Sequence, residues 1–177
     1  MKINEKSKRL AYLLRHDTDY NFDSQGWREI SDLTKNHNYT LSELKEIVKN
    51  DNKGRYEMDL GCTKIRAVQG HSIPGINPNL KSQTPPPFLY HGTSSRFIDS
   101  ILREGIQKRS RNHVHLSADK ETAEKVGIRH GGKTVIIEID TEKMLNSGIE
   151  FFQASNGVWL VDFVDKVFFN DIIWLDL

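Results

Sequence analysis

Apolar residues recur at helical spacing early in the chain and then give way to strict alternation. Leu10, Leu13 and Leu14 stand at i, i+3 and i+4, which predicts a helix with one buried face. Arg15 and His16 fall at its C-terminal end. A short second helix is predicted from Ser31, burying Ile30 and Leu33. Thr40-Leu41-Ser42-Glu43 has the spacing of a capping box, and Leu44, Ile47 and Val48 form the apolar stripe of a third helix. Arg55 to Leu60 then alternates, Gly61-Cys62 turns the chain, and Thr63 to Val68 alternates again. In the returning strand Lys64 and Arg66 share the face opposite Ile65. Helices followed by a hairpin predict a small winged-helix module over residues 1–75.

The segment 76–87 ends in Pro85-Pro86-Pro87 and reads as a linker. Beyond it, residues 88–177 form an α+β lobe. Strands are predicted at Phe88-Leu89-Tyr90, Val114–Leu116, Thr134–Ile139, Gly157–Leu160 and Val167–Phe169. One helix carries Ile98, Ile101 and Leu102 and ends at Gly105. Another, capped by Ser117, carries Ala123 and Val126 and ends at Gly127.

Composition narrows the chemistry. No apolar run approaches the roughly 20 residues of a membrane span, and the first residues lack the apolar core of a secretory signal. Cys62 is the only cysteine, which excludes an internal disulfide or thiolate cluster and suits a cytoplasmic setting. Residues 1–75 carry 13 Lys+Arg and 11 Asp+Glu, and residues 76–177 carry 12 and 13. Their balances of +2 and −1 sum to the whole chain's +1. Any phosphate contact must therefore come from a local cluster rather than bulk charge.

One such cluster lies between Tyr90 and Gly132, where four histidines stand among arginines. Imidazole carries a proton near neutral pH, and guanidinium grips phosphate with a planar fork. Dinucleotide-binding and phosphate-loop glycine patterns are missing. His113-x-His115 would put two imidazoles on one strand face, but no further ligands complete a metal set. Taken singly, Arg15-His16 reads as cations favourably placed at a helix C-terminus. Trp27 and Trp159 read as core aromatics.

Read in order, the segments are more specific. They are Leu13-Leu14-Arg15-His16, Gly26-Trp27, Lys64 to Ser72, Tyr90-His91-Gly92-Thr93, His113 to Ser117, Val126 to Gly131 and Asn156 to Leu160. This set resembles the RNA 2′-phosphotransferase family, from about Ser7 to about Phe169. The resemblance implies an N-terminal winged-helix RNA lobe and a C-terminal, β-rich, NAD-binding lobe of ADP-ribosyltransferase type. It implies a metal-free, two-step reaction. An internal RNA 2′-phosphate first displaces nicotinamide from NAD⁺, giving a 2′-phospho-ADP-ribosylated RNA. The ribose 2″-hydroxyl then attacks phosphorus, leaving 2′-hydroxyl RNA and ADP-ribose 1″,2″-cyclic phosphate.

The family's catalytic set falls on Arg15, His16, Arg66 and Arg129. Arg15, His16, Arg66 and Lys64 are implied to bind the RNA phosphate, with Lys64 supporting the second step. His91, Gly92, Thr93, His115, Ser117 and Arg129 are implied to hold NAD, with Gly92 allowing close approach of backbone to dinucleotide. The implied partner is a tRNA-like RNA with an internal 2′-phosphate, as in tRNA splicing. No membrane is involved and a monomer suffices.

The chain departs from the family pattern where Asp17 to Phe22 replaces an often-found proline and a Gly-Leu pair. Glu138-Ile139-Asp140 only loosely resembles the glutamate motif of protein-modifying ADP-ribosyltransferases, and its expected place is a strand followed by a helix cap. Protein modification is thereby disfavoured. Two other readings stay open. One is ADP-ribosylation of terminal phosphates on RNA or DNA, and the other is a non-catalytic winged-helix sensor of nucleotide or RNA.

Overall fold

The computed structural model describes residues 3–78 and 80–175. The chain divides into two compact units, with the boundary between Leu80 and Lys81. Both mix helices with antiparallel strands. No helix among the described residues is long and apolar enough to cross a membrane.

The first unit runs α1 (Ile3–Arg15), β1 (Arg28–Glu29), α2 (Ile30–Asn36), α3 (Leu41–Lys49), β2 (Tyr56–Met58) and β3 (Lys64–Ala67). Leu10, Leu13 and Leu14 are buried along α1 and meet Leu33, Leu44, Ile47 and Ile65 in one core. The capping box forms as expected: Thr40 accepts from the Glu43 amide, and the Glu43 carboxylate accepts from the Thr40 amide. β3 lies between β1 and β2. Asp59 closes the β2–β3 turn by accepting from the amides of Thr63 and Lys64 at 2.7 and 2.6 Å. Cys62 takes a left-handed conformation there, with φ 51°. Within the segment 76–87, Ile76 is buried and the Asn77 amide donates to Ser24 O at 2.8 Å.

The second unit runs β4 (Lys81–Ser82), β5 (Phe88–Ser94), α4 (Ser95–Glu104), β6 (Ile106–Gln107), β7 (Val114–Leu116), α5 (Lys120–Ile128), β8 (Thr134–Asp140), α6 (Thr141–Asn146), β9 (Phe152–Gln153), β10 (Trp159–Val161), β11 (Phe163–Val164) and β12 (Phe169–Leu175). Its sheets are ordered β4-β9-β10-β7, β11-β6 and β12-β8-β5, all antiparallel. β8 is buried nearly throughout, with Val135, Ile137 and Ile139 in a core shared with Leu89, Leu116 and Trp159. Tyr90 and Ser117 exchange backbone hydrogen bonds of 2.9 and 2.8 Å, which ties β5 to the end of β7.

Four expectations shift here. The strand entered at Phe88 does not stop at Tyr90 but continues through His91, Gly92 and Thr93 to Ser94. Asp119, not Ser117, caps α5, because the Ser117 backbone is engaged with Tyr90. Gly127 lies inside α5 instead of ending it. Asp165 starts a 3₁₀ turn over Lys166–Phe168, and the strand begins only at Phe169.

Candidate active site

In the first unit, Arg15 and His16 are held where α1 stops. The Ser72 amide donates to Arg15 O at 3.0 Å, and Ser72 Oγ shares a 2.9 Å hydrogen bond with His16 Nδ1. Tyr12, one turn earlier, sets its ring 5.8 Å from the His16 imidazole. Gly70 has φ 88°, and a Cβ there would sit 3.4 Å from Arg15 Nε and Cζ. The 70–72 loop therefore lies directly against the Arg15 side chain. His71, within the same loop, is buried, and a Cβ at Gly26 would come within 3.0 Å of its Nε2. Both glycines use a backbone conformation that other residues adopt only with strain.

Arg66 is 6% exposed, an unusual state for a guanidinium. Its Nε and Nη2 both donate to Glu57 Oε2, at 3.0 and 2.8 Å. Its Cζ lies 4.4 Å from the centroid of the Trp27 ring. Nη1 reaches Gln25 O only at 3.4 Å. Trp27 is half-buried and absent from the apolar core, so its work is to face Arg66 rather than to fill the interior. Trp159, by contrast, is a core residue. Lys64, two positions before Arg66, pairs with Glu29 at 3.3 Å and is far more exposed.

In the second unit, strand alternation puts Leu89, His91 and Thr93 on one face of β5 and Tyr90, Gly92 and Ser94 on the other. His91 Nδ1 donates to His115 O at 3.2 Å. Burial outweighs that bond and pulls the His91 imidazole down to about 4, so it is neutral near pH 7. A neutral ring donating through Nδ1 offers Nε2 as an acceptor. Thr93 is buried beside it. His115 Nδ1 lies 3.1 Å from Arg111 Nη1. Gly92 faces α5, where a Cβ would meet Ala123 O at 1.7 Å. The structure thus gives Gly92 a packing reason: the backbone of β5 and that of α5 come into direct contact there. Gly127 makes the reciprocal approach from the helix, 2.9 Å from Thr93 O for an added Cβ.

Arg129 is exposed just after α5, with Nε donating to Lys125 O at 3.0 Å. Its loop continues through Gly131 and Gly132, at φ 68° and 77°. Arg96 Nη2 donates to His130 O, and Ser94 Oγ donates to Gly131 O at 2.5 Å. The end of β5 therefore anchors the loop that presents Arg129. Glu138 accepts from Lys120 at 2.9 Å and from Asn170 at 2.7 Å, and the Lys120 bond holds its carboxyl below the usual range. As expected, Glu138 stands in a strand that ends at the helix cap Asp140.

Sequence reasoning assigned no role to Ser72, Glu57 or Trp27 in this arrangement. Glu57 had a signal, since pairing across the Gly61-Cys62 turn sets residue 57 opposite residue 66. Ser72 had none beyond lying in a quoted motif. Among the described residues, no group of three or more His, Cys, Asp and Glu side chains gathers as metal ligands would.

Comparison with known proteins adds the class. The profile of the "RNA 2′-phosphotransferase, Tpt1 / KptA family" matches residues 2–163. A protein of Fusobacterium nucleatum subsp. nucleatum named "Probable RNA 2′-phosphotransferase" is 46% identical over 167 residues, covering 90% of this chain and 93% of its own. Proteins of the same name from Pseudomonas fluorescens and Acaryochloris marina are 43% and 41% identical, and cover 90% and 97% of this chain and 92% and 98% of their own. The chain belongs to the RNA 2′-phosphotransferase family and is a transferase.

Proposed function

We propose that the chain removes an internal RNA 2′-phosphate by transferring it to NAD⁺, leaving 2′-hydroxyl RNA, nicotinamide and ADP-ribose 1″,2″-cyclic phosphate. The observation that carries this reading is the family match over residues 2–163, which spans all four residues of the implied catalytic set. The first unit, three helices and an antiparallel hairpin, is read as a winged-helix RNA lobe. The second, with its antiparallel sheets and the His91-Gly92-Thr93 strand, is read as an ADP-ribosyltransferase-like lobe.

NAD⁺ supplies an electrophilic anomeric carbon, a good leaving group and a neighbouring hydroxyl. The protein's task is to bring an anionic phosphate to it and to offset the charge. Arg15, Arg66 and Arg129 grip the phosphate, because guanidinium forks match phosphate oxygens and favour the charge gained when phosphorus is attacked. Lys64 adds a flexible cation for the same step. His16, oriented by Ser72, hydrogen-bonds the phosphate and relays the proton lost by the attacking ribose 2″-hydroxyl to the departing RNA 2′-oxygen. His91 and Thr93 take the polar groups of the nicotinamide ribose, and the neutral His91 ring suits this because it accepts through Nε2 without adding charge. His115 and Ser117, joined to the same strand, complete the NAD side.

The test is incubation of the protein with NAD⁺ and a short RNA bearing one internal 2′-phosphate. Loss of the phosphate with release of nicotinamide is expected. Stable ADP-ribosylated ends without phosphate removal would support terminal-phosphate modification instead.

A further inference from the structure

Arg28 is almost fully buried, at 2% exposure, and has no part in the site described so far. A guanidinium in such a place is tolerated only when its donors are matched. Nε donates to Asp32 Oδ2 at 2.7 Å, and Nη2 lies 2.7 Å from His37 Nε2. Its Cζ sits 4.3 Å from the Tyr20 ring centroid, and the Tyr20 hydroxyl in turn accepts from the Glu29 amide at 3.0 Å. The decisive atom is Nη1. It donates to Leu13 O at 2.9 Å and to Asp17 Oδ2 at 2.6 Å.

Leu13 and Asp17 flank Arg15-His16 on either side. Leu13 O is one of the last carbonyls of α1, which have no helical donor of their own. One nitrogen therefore fixes both where the helix ends and where the next loop begins. The three residues between, Leu14, Arg15 and His16, can shift only if one of those bonds breaks. Ser72 restrains the same dipeptide through Arg15 O and the His16 ring.

We propose that Arg28, through its bond to Asp17, is a positioning residue that sets the Arg15-His16 dipeptide for phosphate binding. This rests on the role of Arg15 and His16 given above. The clamp lies wholly within the first unit. It joins a buried cation in β1 to the loop after α1 and touches no reacting group.

The test uses the full chain. Asp17→Asn removes one charge at the edge of the clamp, and Arg28→Lys keeps the charge but loses the planar fork. The measurements are Tm, kcat and KM for 2′-phosphorylated RNA and for NAD⁺, and the imidazole NMR signal of His16. Positioning predicts that Asp17→Asn lowers kcat about tenfold and leaves KM for NAD⁺ unchanged, for about one lost hydrogen bond. The His16 signal should move, and Asp17→Asn should add little to His16→Ala. An Asp17→Asn protein with native kcat and an unmoved His16 signal overturns the proposal, as does a loss fully additive with that of His16→Ala. If Arg28→Lys does not fold, Asp17→Asn decides alone. A wild-type protein without turnover sinks the functional reading instead, while the His16 signal in Asp17→Asn still decides whether the clamp positions that residue.

Discussion

The guanidinium of Arg66 lies over the Trp27 ring, 4.4 Å from its centroid, while Glu57 takes two of its donors on one carboxylate oxygen. A cation on an aromatic face is stabilised by about 0.5–2 kcal/mol, depending on burial. Trp27→Ala should therefore slow phosphate removal by about tenfold. Because Arg66 offsets the charge gained when phosphorus is attacked, 2′-phospho-ADP-ribosylated RNA should accumulate. Trp27→Phe should recover part of the rate. Gel separation of intermediate and product checks this, and equal slowing of both steps would count against the assignment.

Ser72 joins the ends of two motifs distant in sequence. Ser72→Ala removes its hydroxyl from His16 but keeps the amide bond to Arg15 O. A hydrogen bond of this type contributes about 1 kcal/mol net. The variant should keep a near-native Tm and lose about five- to tenfold in kcat. Steady-state kinetics with a melting curve would separate that outcome from simple unfolding.

Gly92 and Gly157 should respond differently to alanine. A Cβ at Gly92 falls on Ala123 O at 1.7 Å, whereas at Gly157 it meets nothing within 4 Å and the only strain is φ 83°. Gly92→Ala should cost about 3 kcal/mol or more, and Gly157→Ala about 1 kcal/mol. Denaturant titration reads both. A stable, folded Gly92→Ala protein that has lost only NAD affinity would show that the residue serves the dinucleotide rather than the helix contact.

His91 makes stability depend on pH. Folding lowers its affinity for a proton, from the ordinary imidazole value of 6.5 to about 4. As pH falls below 6.5 the unfolded chain takes up the proton first, so stability is full above 6.5 and declines towards about 4. The slope is at most about 1.4 kcal/mol per pH unit. His91→Asn should flatten the pH profile of Tm within that window.

The helices and hairpin of the first unit were legible because each rests on a local rule. Three leucines at helical spacing, a capping box and alternation about Gly61-Cys62 survive folding unchanged. β1, β4 and β9 were not legible, since each has two residues, too few to show alternation. The cap of α5 was misplaced because Ser117 and Asp119 are equally good capping residues. Only the backbone pairing of Ser117 with Tyr90, a long-range fact, decides between them.

The site divides the same way. The resemblance supplied candidates for the reacting groups, but the groups that hold them depend on tertiary contacts. Trp27 reads as core until Arg66 is seen over it. Asp17 reads as a departure from a pattern until Arg28 is found bonded to it. Buried charges of this kind have no periodic signature, because their partners come from separate turns and strands.

The most direct test follows the phosphate itself. A short RNA carrying one radiolabelled internal 2′-phosphate is incubated with the protein and NAD⁺, and the labelled products are separated. All of the label should leave the RNA as ADP-ribose 1″,2″-cyclic phosphate, with none released when NAD⁺ is omitted. Label appearing as inorganic phosphate, or remaining on the RNA at saturating NAD⁺, would contradict phosphate transfer to NAD⁺.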